Sequence, residues 1–249
     1  MRWCTLLLVL IAFLCKGQNA IDDFNTAVQL GQNGKYQEAL KLFKSIKNEG
    51  LVSASLDYNI GTAYLHLDSI GKSILHLERA LRYLPNDQQI QKHIVIARQR
   101  MEEAVIPVTP FFLSEWVKKV NGSISLTGWG ILSTLFIWIF ACLLAVILMK
   151  IDWKFGRFNT LFLILSIISI ILSASMCFAA NQRIKQKNIA ILTAPQTELK
   201  VGPDALSTTY NQIYEGEKLI ILNELEGWFQ VELLNRDIGW IKSEMITRI

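Results

Sequence analysis

Three patterns of apolar and polar positions divide the chain. Between residues 20 and 103 apolar residues return every three to four positions, the period of amphipathic helices. Two uninterrupted apolar stretches follow, 129–149 and 160–180, each about 21 residues without a charge, which is long enough to cross the hydrocarbon core of a bilayer as a helix. From Asn188 the pattern changes again, to short runs at 218–222, 229–234 and 238–241 separated by Glu215-Gly216, Glu226-Gly227 and Asn235-Arg236-Asp237 turn signals. Those runs predict an all-β meander of about 60 residues over 188–249. A shorter apolar run, Trp3 to Cys15 after Arg2, has roughly 13 residues, too few to span, and reads as a signal peptide over residues 1–17. Cys15 and Gly17 supply the small residues before a cut at Gln18. A lipid anchor on Cys15 would want smaller residues than Phe13 and Leu14 ahead of it.

The helical stretch repeats itself. A shift of 34 residues aligns Ala20 with Ala54, Ala27 with Gly61, Leu30 with Tyr64, Ala39 with Ser73, Phe43 with Leu77 and Ile46 with Ala80, with no gap. Small residues at fixed places let paired helices approach, and large ones fill the space between them. This period, with Asn59-Ile-Gly-Thr-Ala-Tyr64, Gly34-Lys-Tyr-Gln-Glu-Ala39 and Glu78-Arg-Ala-Leu-Arg-Tyr-Leu-Pro85, resembles the tetratricopeptide repeat. The resemblance implies an all-α solenoid over 20–103: two helix pairs, then a capping helix that starts at Asn86-Asp87. Two repeats fall below the three or so that stand alone, so the domain should lean on a partner or on the rest of the chain. The resemblance also implies protein binding in a groove lined by the first helix of each pair, with Phe24 and Val28 from one repeat and Tyr58, Thr62 and Leu65 from the next. Lys or Asn at the fifth and ninth positions would suit a carboxylate clamp, but Phe24 and Val28 stand there.

The two long apolar stretches are joined by a ten-residue turn, 150–159, and predict a transmembrane hairpin. Trp129 and Trp153 sit near span ends, where indoles favour the interface, and neither span carries an ionisable group on which a channel or proton relay could be built. Two spans put the repeat domain and the C-terminal domain on one side of the membrane. The signal peptide makes that side the exported one, with Lys150, Lys154 and Arg157 marking the turn as cytoplasmic, although Lys118, Lys119, Arg183, Lys185 and Lys187 flank the opposite ends. Between repeat and span, residues 104–128 read as a linker in which Phe112, Leu113, Trp116, Val117 and Val120 oppose Lys118 and Lys119. That spacing fits an interfacial amphipathic helix.

Within the β region, the Gly227-Trp228 and Gly239-Trp240 pairs, with Ala190-Ile-Leu, Leu199-Lys-Val-Gly-Pro203 and Tyr214-Glu-Gly-Glu-Lys-Leu-Ile-Ile, resemble bacterial SH3-like domains. The resemblance implies a small barrel that binds peptide or cell-wall material. Trp228 and Trp240 are expected in its core.

Composition agrees with a membrane protein: 249 residues, 51% apolar, formal charge +4. The basic residues do not gather on one periodic face, so no nucleic-acid partner is expected. Cys4, Cys15, Cys142 and Cys177 all fall in apolar runs, and His66, His76 and His93 lack the i, i+4 spacing of a helical metal site. No nucleophile–base constellation, metal-ligand spacing or phosphate-binding glycine loop stands out, and Glu102 and Glu103 are neighbours that do not face each other on a helix. A non-enzymatic chain without cofactor or metal is the expectation.

The order of signal peptide, repeats, two-helix hairpin and SH3-like domain resembles the BatE family of the Bacteroides aerotolerance operon. That implies an inner-membrane scaffold with both soluble domains in the periplasm. Its partners would be other membrane proteins of the same operon, in a complex linked to aerotolerance or envelope stress. The rival reading is an envelope sensor or anchor whose SH3-like domain grips peptidoglycan.

Overall fold

The computed structural model describes residues 20–101, 112–149, 158–185 and 188–249. The signal-peptide segment, most of the turn and the residues joining repeat to hairpin lie outside them. The chain forms two compact units. One holds the repeat helices and the C-terminal strands; the other holds the apolar helices.

In the first unit α1 covers residues 20–32, α2 Tyr36–Asn48, α3 Ala54–His66 and α4 Ile70–Tyr83. Both helices of the first pair reappear 34 residues later, so the sequence period is also the structural one. The periodic positions are the buried ones: Ala27, Ala39, Leu77 and Ala80 are fully enclosed, with Phe43 and Ile46 nearly so. At Gly61 a Cβ would stand 2.8 Å from Cγ of Leu77, which is why α3 and α4 can approach only with glycine there. The Ser73 hydroxyl donates to the Gly61 carbonyl at 2.8 Å across the same contact. After α4, the Asp87 carboxylate accepts from the backbone N–H groups of Gln89 and Ile90 and starts α5, Gln88–Gln99.

Seven strands follow: β1 Ile189–Leu192, β2 Gln196–Lys200, β3 Thr209–Tyr214, β4 Lys218–Leu225, β5 Trp228–Glu232, β6 Ile238–Lys242 and β7 Ile246–Arg248. They pair antiparallel in the order β3-β2-β6-β5-β4-β1-β7. The sheet has β3 and β7 at its edges with no ladder closing them, so an antiparallel sheet is present and its closure into the expected barrel is not shown. The ladder is weakest where β2 meets β6, through Lys200 and Trp240 alone. There a Cβ on Gly239 would lie 2.5 Å from Cγ of Leu199, so the strands cross closely at glycine rather than running side by side. The tight β4–β5 hairpin turns on Glu226 and Gly227, both at positive φ (38° and 85°), the conformation that a two-residue turn of this kind requires. One face of the sheet carries the core, including Leu192, Leu199, Leu219, Phe229, Val231 and Ile241.

The sheet is built onto the repeats. Ile191 of β1 is fully buried in a cluster with Leu65, Ile70, Ile74, Leu75 and Ala97 from α3, α4 and α5. Gly71 packs so tightly that a Cβ would sit 2.8 Å from the Leu192 carbonyl, and its N–H donates to the Glu215 carboxylate at 3.0 Å. Arg79 and Arg82 donate to the carbonyls of Arg248 and Ile249 at 2.8 and 2.9 Å. A two-repeat solenoid has an apolar end with nothing to stack on. Here the sheet covers it.

In the second unit α6 runs Phe112–Ser123, α7 Leu126–Leu148 and α8 Phe158–Lys185. Ser125 caps α7 by accepting from the Gly128 N–H, which starts the helix before the apolar stretch does. Two segments, Leu126–Leu148 and Leu161–Lys185, are long and apolar enough to cross a membrane, with mean hydropathy 2.8 and 2.6. Asn121 is 5% exposed and joins the three helices. Its Nδ2 donates to the Met176 carbonyl at 2.7 Å, its Oδ1 accepts from Arg183 at 2.8 Å, and its backbone carbonyl accepts from the Trp129 indole at 3.2 Å.

Candidate binding surfaces

The five residues expected to line a repeat groove have different neighbours. Phe24 and Val28 are half-buried against the core of the first repeat, where Phe24 meets Phe43 edge to face at 5.7 Å. Tyr58 packs with Leu77, Ala80, Ile90 and Ile94 instead, and its hydroxyl lies 3.3 Å from the His93 ring of α5. Thr62 donates to the Tyr58 carbonyl, and Leu65 is 4% exposed in the cluster that meets the sheet. The reason is α5. It lies against the face of α3 that carries Tyr58 and Leu65; Leu65 is core, whereas Tyr58, Phe24, Val28 and Thr62 keep partial exposure. Hydrophobic spacing alone could not separate a groove from the seat of a capping helix.

The repeats also enclose a charged network that hydrophobic spacing does not reveal. Asp57 of α3 is 2% exposed; it pairs with Lys47 and lies 2.7 Å from His76 Nδ1. Burial opposes ionisation of Asp57, yet the hydrogen bond from His76 and the Lys47 ammonium outweigh it and hold the carboxyl below its ordinary range. For His76 burial dominates and pushes the imidazole below its ordinary value, so the neutral ring donates through Nδ1 to the carboxylate. His76 also stacks on Tyr64 at 5.7 Å, over whose ring Lys44 and Lys72 sit at 5.2 and 5.8 Å. Asp57, Lys47 and His76 bond to one another as a polar core, and Lys44 and Lys72 stay exposed beside it. Among the described residues no three His, Cys, Asp or Glu side chains converge as metal ligands would.

On the sheet, Trp228 and Trp240 do not fill the core. Strand alternation gives the buried face to Phe229 and Val231 on β5 and to Gly239 and Ile241 on β6, leaving both indoles half-buried on the opposite face. There Trp240 pairs with Gln230 and Lys200, and Trp228 with Leu225 and Lys242. The Gly-Trp pairs that look like core signals carry glycine inward at β6, where Leu199 needs the space, and indole outward.

No protein-family model matches the chain, and no curated protein matches it. Among solved structures, a tetratricopeptide-repeat protein from Bacteroides fragilis aligns with 70% of this chain and 84% of its own. The identity is 15% and the TM-score 0.28, a superposition too loose to carry an argument about fold or function.

Proposed function

We propose that the chain is a non-enzymatic membrane scaffold: α7 and α8 anchor it, and the fused repeat–sheet unit recruits protein partners. The observation that carries this reading is the apolar surface of the anchor. Ile131, Trp138 and Ile171 are 65%, 68% and 63% exposed on helices that carry no charge for some 20 residues, an arrangement suited to lipid and untenable in water. The signal-peptide reading of residues 1–17 puts the repeat–sheet unit in the periplasm, and the resemblance to the BatE family suggests an inner-membrane complex linked to aerotolerance or envelope stress. A photo-crosslinking residue in place of Phe24, in full-length protein in native membranes, should capture a membrane-protein partner. Capture by lipid alone, or by nothing at all, would count against the scaffold. For orientation, in a background without native cysteines, Lys35→Cys and Ser207→Cys should react with an impermeant thiol reagent once the outer membrane is permeabilised, and Asn159→Cys should not.

A second reading has its own support in the outward indoles of Trp228 and Trp240, which suit stacking on sugar or peptide of the cell wall. Purified peptidoglycan should then sediment the full chain, and Trp240→Ala should abolish that. Sedimentation unaffected by Trp240→Ala would remove this face from consideration.

A further inference from the structure

We propose that α6 is an interfacial helix whose Phe112–Trp116 face lies in the lipid headgroup layer beside the spans. The proposal rests on the reading that α7 and α8 cross the membrane. Phe112 and Trp116, one turn apart on α6, are 74% and 60% exposed. About half a turn round the helix from Phe112, Asn121 is buried and ties α6 to Met176 and Arg183 of α8 and to Trp129 of α7. Trp129 stands in the first turn of α7, while Arg183 and Lys185 stand in the last turn of α8. These residues mark the level at which the spans leave the hydrocarbon. The tie through Asn121 therefore holds α6 at the membrane boundary, turned so that its aromatic pair points away from α8.

Two large rings on one face, with exposed Lys119 a turn further along that same face and exposed Lys118 well to its side, match a headgroup layer. Rings enter the acyl boundary and ammonium groups reach lipid phosphates. Continuity with the spans argues for the bilayer as occupant over a second protein.

Site-specific nitroxides test this in the full chain, reconstituted in phosphatidylcholine–phosphatidylglycerol nanodiscs with the native cysteines replaced. Labels go to Trp116→Cys, Lys118→Cys and Trp138→Cys, and collisions with oxygen and with a water-soluble nickel chelate are compared. Position 138 should be deep, rich in oxygen and free of nickel. Position 116 should be shallow, with severalfold less nickel contact than position 118. Equal nickel contact at 116 and 118, with 138 deep, would place α6 in water and overturn the proposal while leaving the spans intact. Exclusion of both reagents from 116 would mean that protein covers it, which also overturns the proposal. Nickel contact at 138 would remove the spanning reading itself, and α6 with it.

Discussion

Glu78 of α4 accepts a hydrogen bond from Lys218 of β4 at 2.6 Å, linking residues 140 positions apart from the helical and the β parts of one unit. Its other oxygen accepts from Arg98 of α5 at 3.1 Å, and the residue is 5% exposed. One carboxylate thus ties the second repeat, its capping helix and the sheet.

Glu78→Ala leaves two cations facing a shielded site without their acceptor. Because both cations keep some access to water, losing these charge-assisted bonds should cost about 1–3 kcal/mol. The expected outcome is a lower melting point and faster proteolysis between helices and sheet. A melting curve identical to that of the parent would show that the apolar cluster around Ile191 holds the parts together unaided.

The Asp57 network makes the repeats sensitive to acid. His76 has a lowered folded pKa, so the unfolded chain takes up a proton near pH 6.5 that the folded chain resists, and stability declines as pH falls below that value and on through the folded pKa. Asp57, also lowered, adds a second decline below about pH 3.8. Both contributions are present in full above pH 6.5. Thermal melts followed by helical circular dichroism should fall between pH 7 and 5, and His76→Gln should flatten that upper step; an unchanged slope in the variant would assign the step to another group.

Phe229 and Trp240 should differ sharply when truncated. Phe229, 7% exposed and within the sheet core, should cost about 3 kcal/mol or more as alanine. Trp240→Ala, on the opposite face, should cost about 1 kcal/mol. Chemical denaturation of the two variants orders them, and equal losses would mean that Trp240 is packed as tightly as a core residue.

Gly61→Val tests the close approach of α3 and α4. Its Cβ would meet both the side chain and the backbone nitrogen of Leu77, at 2.8 and 3.1 Å, and a backbone cannot step aside cheaply. Overpacking of this kind costs about 1–3 kcal/mol, read as a lowered melting point, whereas at Gly31, where a Cβ meets open space, Gly31→Ala should leave the melt unchanged or raise it.

Periodicity determined the local order of this protein. The 34-residue return of small and large residues set α1 to α4, uninterrupted hydrocarbon set α7 and α8, and the Glu226-Gly227 and Asn235-Arg236-Asp237 turns set the strands between them. Each of these depends on residues close in sequence, whose spacing decides what a segment can bury. Tertiary structure decided which face meets what. Leu65 and Tyr58 have the spacing of groove residues, yet Leu65 is enclosed where the sheet meets the repeats and Tyr58 packs partly against α5, because an apolar stripe reads the same whether a ligand or the chain itself covers it. Trp240 likewise has a core residue's character but lies on the outward side, since the side of a strand that faces inward follows from register with its neighbours, and Leu199 had already claimed the space at Gly239. The Glu78–Lys218 tie joins residues 140 positions apart and the Asp57 network joins side chains from three helices, so only folding brought these groups within reach.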